Sequence, residues 1–182
     1  MKIDLTKQNQ QGYEIGKSKF INYLWYLTSS IFFVSPYFPF YGLKIFILKI
    51  FGANIGDGVV IKPRVTIKFP WKLSIGNYST IGECAWIDNL DSVKIGSNVC
   101  ISQSVYICTG SHNYKIDSFD LIIKPVTIED GVWLGAGSTV LQGVTCFENS
   151  ILSAGSVASQ NMQASKIYQG NPALELKERK FN

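Results

Sequence analysis

Apolar residues recur at every sixth position through the middle of the chain. The first ten of these positions hold isoleucine. The series is Ile55, Ile61, Ile67, Ile75, Ile81, Ile87, Ile95, Ile101, Ile107, Ile128, Leu134, Val140, Cys146, Leu152 and Ala158. A period of six fits neither an α-helix nor a single strand. It predicts a repeat architecture in which the chain winds as a coil of short strands, with one of these side chains per strand pointing to the axis.

Two other positions of the six-residue unit agree with a coil. The residue after the apolar position is often glycine, which indicates a corner where a positive φ or a close backbone approach is needed. These glycines are Gly56, Gly76, Gly82, Gly96 and Gly135. Four places after the apolar residue the side chain is usually small or β-branched, as expected of a second inward position. These residues are Val59, Val65, Ser79, Ala85, Val99, Val105, Val132, Ser138, Val144 and Ser156.

Three units would form one triangular turn of 18 residues. The predicted turns are 55–74, 75–94, 95–127, 128–145 and 146–163. The first two turns carry two extra residues each, and the third carries an insert of fifteen, residues 113–127. All three insertions follow the third unit of a turn, so they gather at one corner. Insertions in solenoids often form the binding face, and we expect function at this corner.

The first 54 residues differ from the repeats, because residues 20–51 are rich in large apolar and aromatic side chains. Pro36 and Pro39 divide this segment into two predicted helices of about twelve to fifteen residues. No uninterrupted apolar run reaches the roughly 20 residues of a membrane-spanning helix. The helices could cap the first coil and pack on neighbouring subunits. They could also lie on a membrane surface, with nearby lysines at the lipid headgroups; these are Lys17, Lys19, Lys44 and Lys49.

The predicted architecture is therefore mainly β: a parallel β-helix of about five coils over residues 55–163, with the loop insert 113–127. A hydrophobic helical segment precedes it over residues 1–54. Residues 164–182 follow as a loop and a tail, and the charged end of the tail predicts a short C-terminal helix.

Composition narrows the classes of partner. The net charge is +4 and the basic residues are scattered, which argues against a nucleic-acid partner. The four cysteines show no CxxC spacing and the chain has one histidine, so no metal site is predicted. No signal peptide with a cleavage motif is present, so we expect a cytoplasmic protein with reduced cysteines.

The single histidine, His112, lies where the third turn enters the long insert. An ordinary imidazole titrates near pH 6.5 and can accept a proton at neutral pH. A lone histidine is usually a surface or core residue without chemistry. Its position at the corner of the insertions makes His112 a candidate general base.

Four motifs carry a family resemblance: the repeated Ile-Gly units, Cys-Thr-Gly-Ser-His at 108–112, Gly-Val-Trp-Leu-Gly at 131–135 and Gly-Asn-Pro-Ala at 170–173. With them the chain resembles the hexapeptide-repeat acyltransferases. Pro-Trp-Lys-Leu at 70–73, Asn-Leu at 89–90 and Ile-Ser-Gln at 101–103 make it most similar to the colanic acid biosynthesis acetyltransferases. The similarity covers nearly the whole chain.

The resemblance implies a left-handed parallel β-helix that assembles as a homotrimer with active sites between neighbouring subunits. It also implies transfer of an acetyl group from acetyl-CoA to a sugar hydroxyl, in the synthesis of an exopolysaccharide or other surface polysaccharide. His112 matches the general base of that family, and the hydroxyl would attack the thioester directly.

By position, the remaining candidates divide into two groups. Residues expected near the acceptor are Asp88, Asn89, Asn113, Tyr114 and Trp133. Residues expected at the CoA are Ala136, Ala154, Ser159, Gln160 and Lys177. The family often has a lysine where this chain has Gln160, so Lys177 or Lys166 could replace that phosphate contact. For Trp133, Asp88 and Asn89, plain packing or a solvated corner is an equal alternative.

Three functions remain open at this point. The first is a sugar O-acetyltransferase, whose acceptor could be a lipid-linked saccharide if residues 20–51 contact the inner face of the membrane. The second is an acetyltransferase for another acceptor: a free sugar, serine, an antibiotic or an amino sugar. The third is a non-catalytic β-helical scaffold, because a fold alone does not establish activity.

Overall fold

The computed structural model describes residues 2–9 and 13–181. Two α-helices precede the repeats: α1 spans Lys19–Phe32 and α2 spans Tyr41–Ile50. Short 3₁₀ turns lie at Leu5–Lys7 and Pro70–Lys72. The two predicted helices are therefore present, although α2 is shorter than expected. Neither α1 nor α2, nor any other helix in these two ranges, is long and apolar enough to cross a membrane.

The repeats form a triangular solenoid, and in each of its three faces the strands of successive turns stack in parallel. Face one consists of β1 (Asn54–Ile55), β4 (Leu73–Ile75), β7 (Val93–Ile95), β12 (Val126–Ile128) and β15 (Thr145–Cys146). Face two consists of β2 (Val60–Ile61), β5 (Thr80–Ile81), β8 (Cys100–Ile101), β13 (Trp133–Leu134), β16 (Ile151–Leu152), β18 (Lys166–Gly170) and β19 (Ala173–Glu178). Face three consists of β3 (Thr66–Ile67), β6 (Trp86–Asp88), β9 (Tyr106–Cys108), β14 (Thr139–Val140) and β17 (Val157–Ala158).

The periodic residues form the core, as predicted. Every residue of the six-residue series is buried, and so is every residue of the second inward set. Equivalent positions stack directly: Ile61 pairs with Ile81, and Ile81 pairs with Ile101. Five complete turns are present. Met162 then pairs with Cys146 and β18 pairs with β16, so a sixth turn begins beyond residue 163.

The glycines after the inward residues are explained by close approach. A Cβ added to Gly76 would lie 2.6 Å from the carbonyl carbon of Gly96, and one added to Gly135 would lie 2.5 Å from the nitrogen of Ala154. Positive φ angles occur later in the corners, at Gly58, Tyr78 and Asn98. From the sequence, either a positive φ or a close backbone approach could explain these glycines. At Gly76 and Gly135 the short distance between turns shows that close approach is the reason.

The helices cover the first turn. Trp25 of α1 is buried, and its indole N–H donates to the carbonyl of Ile67 at 3.0 Å. Lys44 of α2 is fully buried, and its ammonium donates to the carbonyl of Lys62 at 3.0 Å. Both bonds satisfy backbone groups at the open end of the solenoid, where no further turn is stacked. The prediction that Lys44 lies near lipid headgroups is therefore wrong.

Two predicted irregular segments are strands. β10 (Gly110–His112), directly before the insert, and β11 (Leu121–Ile123), within it, form an antiparallel hairpin, and residues 113–120 connect them. The predicted C-terminal helix is wrong, because β19 pairs antiparallel with β18 around the Gly170–Ala173 turn. The ladder between β18 and β19 satisfies backbone groups that a helix would otherwise satisfy internally.

Candidate active site

His112 is the last residue of β10, at the edge where face three turns into face one. Its backbone lies opposite Leu121 of β11, so the hairpin holds the residue clear of the stacked turns. The side chain is half-buried. The imidazole ring stacks on the ring of Phe119, with centroids 4.5 Å apart and planes 7° from parallel. This packing leaves the ring little freedom to rotate.

Two groups lie beside Nδ1 of His112. The backbone carbonyl oxygen of Phe119, which only accepts, is 3.0 Å away, and the amide nitrogen of Gln8, which only donates, is 3.1 Å away. We assign the proton of the neutral imidazole to Nδ1, on the shorter contact with the carbonyl, which leaves the lone pair on Nε2. Across residues 2–9 and 13–181, no hydrogen-bond partner occupies Nε2. The geometry therefore presents an acceptor nitrogen suited to general-base chemistry.

Asp88 lies on face three, one turn below His112, in a small polar cluster. Lys68 Nζ is 2.9 Å from Oδ1, and the hydroxyl of Tyr106 donates to Oδ2 at 3.2 Å. The contact with Lys68 is an ion pair, because its angles fall outside hydrogen-bond geometry and leave Oδ1 without a hydrogen-bond partner among the described residues. Burial, with the nearby Cys108 and Asp88, raises the pKa of Tyr106 well above its usual value, so the phenol stays protonated.

Asn89 has a different environment from Asp88. Its side chain is fully buried. Its amide accepts from the backbone N–H of Phe69 at 2.9 Å and donates to the carbonyl of the same residue at 2.6 Å. Both ends of the amide are therefore used by the preceding turn, and we assign Asn89 a role in the corner itself.

Asn113 and Tyr114 follow His112 directly. The backbone N–H of Asn113 donates to the carbonyl of Asp120 at 2.8 Å, and its side chain accepts from the N–H of Lys115 at 3.2 Å. The side chain of Tyr114 is 76% exposed. Tyr114 is thus free to contact a molecule bound beside the hairpin, whereas Asn113 shapes the turn.

The residues expected at the CoA fall on three parts of the solenoid. Lys177 lines an open groove on face two, about 810 Å³ in volume, together with Ile151, Ile167 and Arg179. Trp133, which was expected near the acceptor, lines the same groove. Ala136 and Ala154 lie at the corner where face two turns into face three. Ser159 and Gln160 are exposed at the same edge as His112, two turns further along.

The two lysines offered for a phosphate contact differ in availability. Lys166 forms ion pairs with Glu175 at 3.0 Å and with Glu178 at 3.2 Å. These partners raise the pKa of Lys166 above its usual value and occupy its ammonium group. Lys177 is exposed and lies in the groove beside Trp133, which makes it the better candidate.

One chain does not bring all of the candidate residues together. His112, Asp88, Asn113, Tyr114, Ser159 and Gln160 lie at or beside the edge between faces three and one. The others lie on face two or at its edge with face three: Trp133, Ala136, Ala154 and Lys177. Among the described residues, no group of three or more His, Cys, Asp and Glu side chains is placed to hold a metal ion.

Comparison with known proteins identifies the family. No family model matches the chain. The chain is 34% identical over 169 residues to the putative colanic acid biosynthesis acetyltransferase WcaF of Escherichia coli, which covers 93% of this chain and 92% of the relative. The chain belongs to the hexapeptide-repeat acetyltransferase family. The predicted family and its left-handed parallel β-helix are confirmed.

Solved structures of hexapeptide-repeat acetyltransferases superpose on the chain. The acetyltransferase VCA0836 of Vibrio cholerae matches with a TM-score of 0.80 and 23% identity, over 91% of this chain and 96% of that one. The same protein in complex with acetyl coenzyme A matches with a TM-score of 0.73 and 26% identity, over 77% and 78% of the two chains.

Sequence reasoning missed several residues that surround His112. Gln8 places its amide nitrogen 3.1 Å from Nδ1 of His112 and 3.2 Å from the carbonyl oxygen of Phe119. Neither Gln8 nor Phe119 lies in a local motif with the histidine. Tyr106 could have been found, because the six-residue period places it on the same face as Asp88 and one turn above Trp86.

Proposed function

We propose that this protein transfers the acetyl group of acetyl-CoA to a sugar hydroxyl during synthesis of a surface polysaccharide, with His112 as general base. The single observation that carries this proposal is the setting of the His112 ring, with Nδ1 facing the carbonyl of Phe119 and Nε2 without a hydrogen-bond partner among the described residues. The similarity to WcaF supports the polysaccharide setting.

In the proposed step, Nε2 of His112 takes the proton of the acceptor hydroxyl as its oxygen attacks the thioester carbon. A tetrahedral intermediate forms, the C–S bond then breaks, and the proton leaves with the CoA thiolate as a thiol. A positioned base contributes roughly 10²- to 10⁴-fold to such a reaction. Holding the acceptor and the thioester together contributes further, and no acyl-enzyme is required.

The acceptor would lie beside the hairpin. Asp88 is held on the same edge, one turn below the base, by Lys68 and Tyr106. An ionised carboxylate accepts hydrogen bonds from sugar hydroxyls, and the exposed ring of Tyr114 can pack against a sugar face. These two side chains are the acceptor contacts that we propose, and the proposed acceptor is a nucleotide sugar or a lipid-linked saccharide.

Acetyl-CoA would lie along the groove of Trp133 and Lys177. The indole of Trp133 is 45% exposed and is held by a bond from its N–H to the hydroxyl of Ser102 at 3.0 Å. Lys177 offers a cation for a CoA phosphate. The backbone N–H of Ala136 donates to no acceptor within the described ranges, so it can stabilise the oxyanion of the intermediate.

A homotrimer with sites between neighbouring subunits would unite these parts. The base lies at one edge of the prism, whereas the groove lies on face two. In a cyclic assembly, one edge of each copy meets a different surface of the next copy. The base of one copy can therefore face the groove of its neighbour.

The proposal is tested by thiol release from acetyl-CoA with wild-type protein and His112→Ala, over a panel of nucleotide sugars, free sugars and lipid-linked oligosaccharides. We expect a fall of roughly 100-fold or more in the variant with an active acceptor. Binding of acetyl-CoA should be retained, since Nε2 acts on the hydroxyl.

The panel also separates the other functions. Full activity of His112→Ala would remove the histidine from the mechanism. Activity confined to a free sugar, serine, an antibiotic or an amino sugar would replace the proposed acceptor. Failure to bind acetyl-CoA at all would favour a scaffold.

We further propose that α1 and α2 rest on the inner face of the membrane, which would place the protein at the cytoplasmic surface where lipid-linked saccharides lie. One side of α1 exposes Phe20, Leu24, Leu27 and Ile31 at helical spacing, and α2 exposes Leu43, Phe46 and Ile50. Lys17, Lys19 and Lys49 are exposed around this surface. An apolar stripe flanked by cations is typical of interfacial helices.

Sedimentation with phosphatidylglycerol vesicles tests this contact. We expect binding by the wild type, weaker binding to phosphatidylcholine, and loss of binding in Ile31→Glu. Leu174→Glu places the same charge on an exposed leucine of β19 and should bind normally. A wild type that ignores vesicles, with an oligomer that dissociates in Ile31→Glu, would instead make this side a contact between copies.

A further inference from the structure

The N-terminal residues 2–9, here called the strap, lie against the hairpin that carries His112. The backbone N–H of Asp4 donates to the carbonyl of Asp117 at 2.9 Å, and Asn9 donates to the side chain of Asp120 at 2.9 Å. Leu121 donates in return to the carbonyl of Asn9 at 3.2 Å. The strap is thus bonded to the second half of the connection, on both sides of Phe119.

Gln8 of the strap reaches the centre of this arrangement. Its amide nitrogen donates to the carbonyl oxygen of Phe119 at 3.2 Å and lies 3.1 Å from Nδ1 of His112. Nδ1 of the histidine lies 3.0 Å from the same carbonyl oxygen, which is the acceptor for the proton assigned to Nδ1. The amide and the imidazole therefore share one acceptor, although Gln8 and His112 are 104 residues apart in sequence.

The backbone at Phe119 needs such support. Its φ is +50°, a left-handed conformation that is uncommon for an aromatic residue. This conformation is what places both the carbonyl and the ring of Phe119 against His112. Without a second donor on that carbonyl, less holds the connection in the geometry that orients the base.

We infer that Gln8 is a positioning residue for the proposed base: through the carbonyl of Phe119 it fixes the Nδ1–H tautomer and the direction of Nε2 of His112. This inference rests on the proposed function of His112. It assigns the strap a part in catalysis, which no motif in residues 2–9 indicates.

Because the chain has one histidine, nuclear magnetic resonance of a protein without a histidine tag reports the tautomer and titration of His112 alone. The charged side chains of the two segments packed around the ring are Lys2, Asp4, Lys7, Lys115, Asp117 and Asp120. All six stay unchanged in the variants of Gln8, so a difference in titration is due to position 8.

Two variants of the full chain test the inference. In Gln8→Ala, we expect a mixture of tautomers and a fall in kcat of roughly 10- to 100-fold, with the KM for acetyl-CoA changed less than about twofold. In Gln8→Glu, a carboxylate takes the place of the amide and accepts the Nδ1 proton. The midpoint of the imidazole titration should then rise by about one pH unit or more, and the acidic limb of kcat/KM should move with it.

Gln163→Ala, which truncates an exposed glutamine outside the site, is the matched control and should leave each reading unchanged. The inference is overturned if Gln8→Ala keeps a single tautomer with wild-type kcat. It is equally overturned if the activity of both Gln8 variants falls while the imidazole titration of each matches that of the wild type, since the strap would then only stabilise the hairpin. The resonance readings need no turnover, so they stand even if His112→Ala proves active.

Discussion

At the scale of single residues, the stacking distance between turns excludes a side chain at several glycines. In Gly76→Ala, the new Cβ would meet the backbone of Gly96 and Ser97 at 2.6 Å. Backbone cannot move aside as a flexible side chain can. We expect a loss of about 1–3 kcal/mol in the free energy of unfolding, measured by chemical denaturation.

Gly42→Ala is the control for that substitution. This glycine lies in α2, and nothing surrounds the position of its Cβ within 4 Å. Alanine favours a helix over glycine by about 1 kcal/mol, so this variant should be neutral or more stable. Equal destabilisation by both substitutions would show that close approach is not the reason for Gly76.

Single residues also mark how far the sequence could predict the site. His112 could be found because its motif is local and the insert follows it directly. Its neighbours Gln8 and Phe119 could not be found, because chain segments 104 and 7 residues away meet the ring through tertiary packing and one left-handed backbone angle. Asn89 could not be distinguished from Asp88 by sequence, since burial decides that its amide serves the adjacent turn.

At the scale of elements, α1 is tied to the solenoid by one buried donor. Trp25→Phe keeps most of the apolar surface but leaves the carbonyl of Ile67 without the indole N–H. We expect the free energy of unfolding to fall by about 1–3 kcal/mol, the cost of a buried unsatisfied group. Tyr23→Phe removes a hydroxyl from an exposed position of the same helix and should have little effect. Similar losses in the two variants would contradict this role.

The wrongly predicted C-terminal helix has a physical cause. Residues 173–178, Ala-Leu-Glu-Leu-Lys-Glu, are all residues that favour a helix in isolation. In this protein they form β19 instead. Pairing with β18 outweighs a preference worth only tenths of a kcal/mol per residue. By contrast, the run Leu121–Ile123 at β11 contains two β-branched residues and could have predicted a strand within the insert.

At the scale of the whole molecule, the division of the candidate site between two parts of the prism gives a test by mixing subunits. His112→Ala damages one part, and Ala136→Trp blocks the other. After the two inactive variants are unfolded and reassembled together, a site between copies should recover about one quarter of wild-type activity, because random assortment joins two intact parts at that frequency.

The mixing test has a clear opposite result. If both parts served one site within a single chain, each chain in the mixture would remain damaged and no activity would return. Refolded wild type, treated in the same way, gives the scale for full recovery. Each variant refolded alone gives the baseline.

The hairpin that carries His112 leaves the solenoid and returns without disturbing the stack. Where the insert ends, Val126 pairs with Val93 and Ile128 with Ile95, as strands of uninterrupted turns do. The length and composition of the connection are thus independent of the register of the coil. Insertion, deletion or exchange of residues in this hairpin can therefore change the surroundings of the proposed base, while the stacked apolar core of the solenoid stays the same.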